Sequence, residues 1–155
     1  MSFPKIGNLA PSFSLNDQNG SRVSLKDLRD QKNVVVYFYP KAMTPGCTLQ
    51  AGGLRDSAEA LAKKSTVVLG ISPDSCTRLA KFAERDGLNF TLLSDEDHSV
   101  ADKYGAWGPK KFMGKEYEGI HRISFLIDPQ GKIQKIWPKV KPEEHAAEVL
   151  AAIQG

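Results

Sequence analysis

The period of the apolar positions changes repeatedly along this chain, and each change predicts an element. Val34-Val35-Val36-Tyr37-Phe38-Tyr39 is unbroken, β-branched and aromatic, which predicts a strand buried on both faces. From residue 47 to 63 the apolar positions Leu54, Ala58 and Leu61 fall at spacings of four and three, a helical stripe. Val67 to Ile71 predicts a second buried strand. Pro73-Asp74-Ser75 opens another helix, with Cys76, Leu79, Ala80 and Ala83 on one face. Asp97 to Tyr104 predicts a short helix. Ile123 to Ile127 and Ile133 to Ile136 predict strands joined by the turn Asp128-Pro129-Gln130-Gly131. A last helix carries Ala146, Val149, Leu150 and Ile153 on one face.

Near the start, Phe13-Ser14-Leu15 and Arg22-Val23-Ser24 flank Asn19-Gly20, a hairpin signal, and Leu25 to Asp30 reads as one helical turn. Gly105 to Gly119, rich in Gly, Lys and aromatics, reads as a long irregular loop. A β-hairpin, then β-α-β-α, then helix, β-hairpin and helix is the layout of a thioredoxin-like α/β fold. It has a mixed central sheet with helices on both faces and an N-terminal β-hairpin.

Length and composition narrow the class. At 155 residues the chain fits one domain, 1–155, with a full core. Its 21 basic and 18 acidic side chains leave a net charge of only +3, too balanced and too scattered to argue for nucleic acid. No apolar run approaches the ~20 residues of a membrane span, and the N-terminus lacks an apolar h-region, so a cytoplasmic protein is expected. Two cysteines make no disulfide framework; in that compartment a disulfide is more often catalytic than structural.

Cys47 is the candidate for chemistry. It lies in Pro40-Lys41-Ala42-Met43-Thr44-Pro45-Gly46-Cys47-Thr48, a Pro/Gly loop between strand and helix. With Thr44 as N-cap and Pro45 as the first helical residue, the thiol falls in the first turn, where free N–H groups and the helix dipole favour a thiolate. The thiolate is the nucleophilic form, and an unperturbed thiol ionises only near ~8.5. The Thr44 hydroxyl and a distant cation, with Arg122 the candidate, are further aids. The competing reading is a small buried hydrophobe. His98, His121 and His145 have no metal-ligand spacing to either cysteine; His121, beside Arg122, is a candidate base.

Pro40-x-x-x-Thr44-x-x-Cys47 resembles the active-site signature of the peroxiredoxins. Tyr37 to Lys41, Thr44 to Thr48, Leu54-Arg55-Asp56, Gly70 to Ser75, Leu93-Ser94-Asp95, Tyr104 to Gly108 and Arg122 to Asp128 resemble the PrxQ or bacterioferritin-comigratory-protein branch. The resemblance implies a thiol peroxidase for hydrogen peroxide and organic hydroperoxides, with Cys47 peroxidatic and no metal or organic cofactor. By the same resemblance Thr44 orients the peroxide, Pro40 shields the sulfur and Arg122 holds both. It also implies a monomer recycled by thioredoxin or a similar dithiol.

The chain departs from that branch at the partner cysteine. Many relatives carry one five residues after the first, where this chain has Gly52 followed by Gly53; others carry one at the position aligned with Ala83. Cys76 lies two turns before Ala83 on the same face and is the candidate resolving residue. Helices on different faces of a sheet would not bring Cys76 to Cys47 without movement, so oxidation is expected to unwind the helix start at Cys47. The alternatives are a one-cysteine peroxidase using an external thiol, a redox-sensing or chaperone protein on the same fold, and a thiol–disulfide oxidoreductase. Against the last, Thr44 stands where Cys-x-x-Cys has its first cysteine.

Overall fold

In this computed structural model, which describes residues 3–153, the chain opens on the expected hairpin of β1 (Ser14–Asp17) and β2 (Arg22–Ser24). Asp17 closes its turn: Oδ1 accepts from the N–H groups of Asn19 and Ser21, and Gly20 supplies φ +81°. A 3-10 turn at Leu25–Leu28 leads to β3 (Asn33–Phe38), α1 (Pro45–Lys63), β4 (Thr66–Ser72) and α2 (Cys76–Asp86). Then follow β5 (Thr91–Ser94), α3 (Ser99–Lys103), β6 (Trp107–Phe112), β7 (Lys115–Ile120), β8 (Ile123–Ile127), β9 (Ile133–Trp137) and α4 (His145–Ala152). Met1, Ser2, Gln154 and Gly155 of the expected 1–155 domain lie outside the described residues. Among the described residues no helix is long and apolar enough to cross a membrane.

Seven strands form one mixed sheet in the order β2-β1-β5-β4-β3-β8-β9. β3, β4 and β5 are parallel; the remaining pairs are antiparallel. Side chains of β3 alternate between two cores, as a strand buried on both faces must. Val34, Val36 and Phe38 pack with Val100, Ala101 and Tyr104 around α3. Val35 and Tyr37, continued by Tyr39, pack under α1, α2 and α4, against Leu54, Leu79, Phe82 and Val149. Tyr37 stands beside Gly70 in the β3–β4 register, and a Cβ on Gly70 would come within 2.8 Å of its ring.

Three features depart from, or were absent from, what the sequence predicts. Gly105 to Gly119 is mostly regular: β6 and β7 form a separate two-stranded ribbon from Trp107↔Ile120 to Phe112↔Lys115. Its two-residue loop, Met113 and Gly114, has φ +53° and +81°, both positive as such tight hairpins require. Phe112 stands exposed at the tip, while Trp107 stacks on His98 at 3.7 Å. Second, Thr91-Leu92-Leu93-Ser94 forms β5, which four residues with two central leucines did not announce. Third, α1 and α2 share one face of the sheet. The crossovers β3-α1-β4 and β4-α2-β5 step the same way across the sheet, so a common hand puts both helices together. Arg85 Nη2 donates to Thr48 Oγ1 (2.8 Å) and Arg55 Nη1 to the Asp86 carbonyl (2.7 Å), lacing them.

Candidate active site

The loop from β3 into α1 follows the helix-start chemistry of its sequence. Thr44 is extended (φ −82°, ψ 157°), Pro45 occupies N1, and the first i to i−4 bond runs from the Thr48 N–H to the Thr44 carbonyl (2.8 Å). Cys47 is therefore N3, in a first turn with no acidic residue. The Thr44 hydroxyl does not cap the helix; it donates to the Lys41 carbonyl (2.8 Å). Met43 holds φ +67°, unusual for a long side chain and a local strain in this loop. Pro40 is half-buried, two residues past the end of β3.

Cys47 is buried, 2% exposed, against Ala51, Leu54 and Tyr39. Arg122, just ahead of β8, reaches it across 75 residues of sequence: Nη2 donates to Sγ at 3.2 Å. Nη1 donates to Gln50 Oε1 at 2.8 Å. Among the described residues no carboxylate lies within ion-pair distance of Arg122. Its charge is thus turned to the sulfur without a competing anion. The approach depends on Gly46, where a Cβ would stand 2.7 Å from Arg122 Nη2.

Three further side chains, His145, Lys110 and Tyr37, complete the surroundings. Gln50 Nε2 lies 3.1 Å from His145 Nδ1, and both side chains are buried. Lys110 of β6 is half-buried and donates to the Ile120 carbonyl (2.7 Å). Burial and then the Arg122 charge pull the Lys110 ammonium below its ordinary value, while Cys47 acts the other way. Burial raises Tyr37 beneath the site well above the phenol range, so its hydroxyl stays neutral.

The structure thus joins Cys47 and Arg122 and keeps Thr44 and Pro40 in the same loop. His121 is not positioned as a base for the thiol: its Nε2 pairs with the Pro109 carbonyl at 2.9 Å, pinning the ribbon. Cys76 is N1 of α2, half-buried, with both cysteines free. It lines a polar groove with Ser14, Asn16, Arg22, Ser94 and Asp95, apart from the core that takes up Leu79 and Ala83 of the face expected for it. The two loops nonetheless meet: the Ala42 N–H donates to Asp74 Oδ2 (2.8 Å) and Arg78 Nη2 to the Ala42 carbonyl (2.8 Å). Among the described residues no three of His, Cys, Asp and Glu cluster as metal ligands do.

Sequence reading missed Gln50, His145 and Lys110. Gln50 had a signal, since it lies one turn after Cys47 and shares its face. His145 is 95 positions from Gln50 and adjoins an apolar stripe.

A buried thiol at a helix start can attack an electrophilic oxygen, and a facing guanidinium with no carboxylate partner among the described residues can stabilise the departing one. The comparisons agree. The model of the AhpC/TSA family matches residues 6–136. Peroxiredoxin Bcp of Escherichia coli (strain K12) is 58% identical over 146 residues, covering 94% of this chain and 93% of the relative. Peroxiredoxin Bcp of Bacillus subtilis (strain 168) is 45% identical over 150 residues, covering 97% and 95%. Among solved structures, a mutant of Xylella fastidiosa PrxQ superposes with TM-score 0.92 at 29% identity, covering 99% of this chain and 97% of that one. Xanthomonas campestris Peroxiredoxin Q gives TM-score 0.86 at 33% identity, covering 91% and 89%.

Proposed function

The chain belongs to the AhpC/TSA family as a thioredoxin-fold, thiol-dependent peroxidase of the Bcp/PrxQ kind, and from that premise we propose that Cys47 is its peroxidatic residue. The observation that carries the assignment is the 3.2 Å contact of Arg122 Nη2 with Cys47 Sγ at the start of α1. The Cys47 thiolate attacks the terminal oxygen of the hydroperoxide in line. The S–O bond forms as the O–O bond breaks, leaving a sulfenic acid and an alkoxide or hydroxide, which takes a proton from solvent. The Arg122 guanidinium and the Cys47 N–H, unpartnered within the helix, meet the charge that develops on the leaving oxygen. Thr44, one turn back, turns its hydroxyl from the Lys41 carbonyl to orient the peroxide, and Pro40 shields the sulfur from water.

Cys76 then attacks the sulfenic sulfur, releasing water and closing a disulfide that thioredoxin or a similar dithiol reduces, on a monomer in the cytoplasm. The meeting of the two loops through Asp74 and Arg78 supports this step. Peroxide consumption with a thioredoxin system, in wild type and Cys47→Ser, tests the assignment. The substitution is expected to abolish turnover; consumption unchanged in Cys47→Ser removes Cys47 from the role.

A further inference from the structure

His145 is fully buried, its ring between those of Tyr37 (centroids 5.6 Å apart) and Trp137 (6.4 Å). Its Nε2 has no hydrogen-bond partner among the described residues, so its one polar contact is Nδ1 with Gln50. An apolar side chain would fill such a site without the cost of desolvating an imidazole.

The chemistry of the contact is fixed from one end. Arg122 can only donate, so Gln50 must turn Oε1 to it. The Gln50 amide then points its NH₂ the other way, where only an acceptor is tolerated. Nδ1 accepts only if the imidazole is neutral with its proton on Nε2. Burial and the Arg122 charge hold His145 down to about 4, so the neutral form persists at physiological pH. We propose that His145 is a positioning residue for the peroxidase reaction: it locks the Gln50 amide, which in turn aims the Arg122 guanidinium at the Cys47 sulfur. Without the lock a buried amide is left with an unpaired donor and is free to rotate away from Arg122.

The inference rests on Cys47 as the reacting thiol, and the test separates the two. His145→Phe keeps the ring volume and deletes the acceptor; His145→Leu serves if the Phe variant does not fold. In a Cys76→Ser background, the pH dependence of iodoacetamide alkylation reports the Cys47 thiolate without any peroxide. The midpoint is expected to move to higher pH, and the second-order rate with hydrogen peroxide to fall about tenfold. His145→Asn, whose Oδ1 stands close to the place of Nδ1, is expected to restore most of both. In a Gln50→Leu background, His145→Phe is expected to add nothing, because it acts only through that amide. A wild-type midpoint and rate in His145→Phe, equal losses in the Phe and Asn variants, or additive losses with Gln50→Leu would each overturn the proposal.

Discussion

At the residue scale, the reacting geometry turns on an absent side chain. Arg122 Nη2 occupies the space in which a Cβ on Gly46 would sit, 2.7 Å away. The obstructed group is the far end of a flexible side chain, so Gly46→Ala is expected to displace the guanidinium rather than unfold the helix. Alanine also favours α1 by up to about 1 kcal/mol in a helix interior, and less at a first turn. The expected signature is a thermal midpoint held or raised while the rate with hydrogen peroxide falls at least about tenfold. An unchanged rate would show that Arg122 is not held by this contact. In the sequence Gly46 reads only as part of a shaped loop, because its reason lies 76 positions away. Cys47, Pro45 and Thr44 were legible because helix-start chemistry is local. The contact of Arg122 with the sulfur was expected through the family resemblance, since nothing near residue 122 itself specifies what it faces.

At the scale of elements, long periodic segments were legible and short or polar ones were not. β3, β4, α1 and α2 announce themselves by apolar runs and stripes, whereas β6 and β7 are written in Lys, Glu, Gly and Pro and exist by pairing with each other. Resolution of the sulfenic acid is also a matter of elements. Cys47 sits at N3 of α1 and Cys76 lines a groove with residues of β1 and β5, so on the proposed resolving reading the bond is expected to form with the first turns of α1 opened. Two adjacent glycines lower the cost of opening by roughly 0.5–1 kcal/mol each relative to alanine. Gly53 packs on Ala146, with a would-be Cβ 3.4 Å away, whereas a Cβ on Gly52 meets only Arg55 Nη2 at 3.7 Å. Gly52→Ala should therefore stiffen α1 without a clash. Mass spectrometry under non-reducing conditions after peroxide is expected to show a Cys47–Cys76 disulfide, formed more slowly in Gly52→Ala. A lasting Cys47 sulfenate beside a free Cys76 would instead indicate an external thiol.

At the scale of the whole molecule, the buried imidazole ties the site to stability. Unfolded, His145 takes a proton near its ordinary value of 6.5; folded, it does so only near about 4. Between those values the unfolded chain binds a proton that the folded chain refuses, so stability rises with pH across the window. Descending from pH 6.5 to about 4, the fold is expected to lose roughly 3 kcal/mol from this group alone. Asp95 works against this slope. Burial raises its carboxyl above the ordinary value, despite hydrogen bonds from the Val100 and Ala101 N–H groups, so it favours the folded state on the acid side. The net curve of the wild type mixes the two, and comparison with His145→Phe isolates the first, because the variant keeps Asp95 and loses the imidazole. Denaturant unfolding of both proteins at intervals from pH 4 to pH 7 should show the wild type losing ground to the variant steadily below pH 6.5. A stability difference that stays constant across that range would mean that His145 takes its proton as readily in the folded protein as in the unfolded chain, and so is protonated in the fold below pH 6.5. A protonated Nδ1 could not accept from Gln50, and the alignment of Arg122 would then need another source.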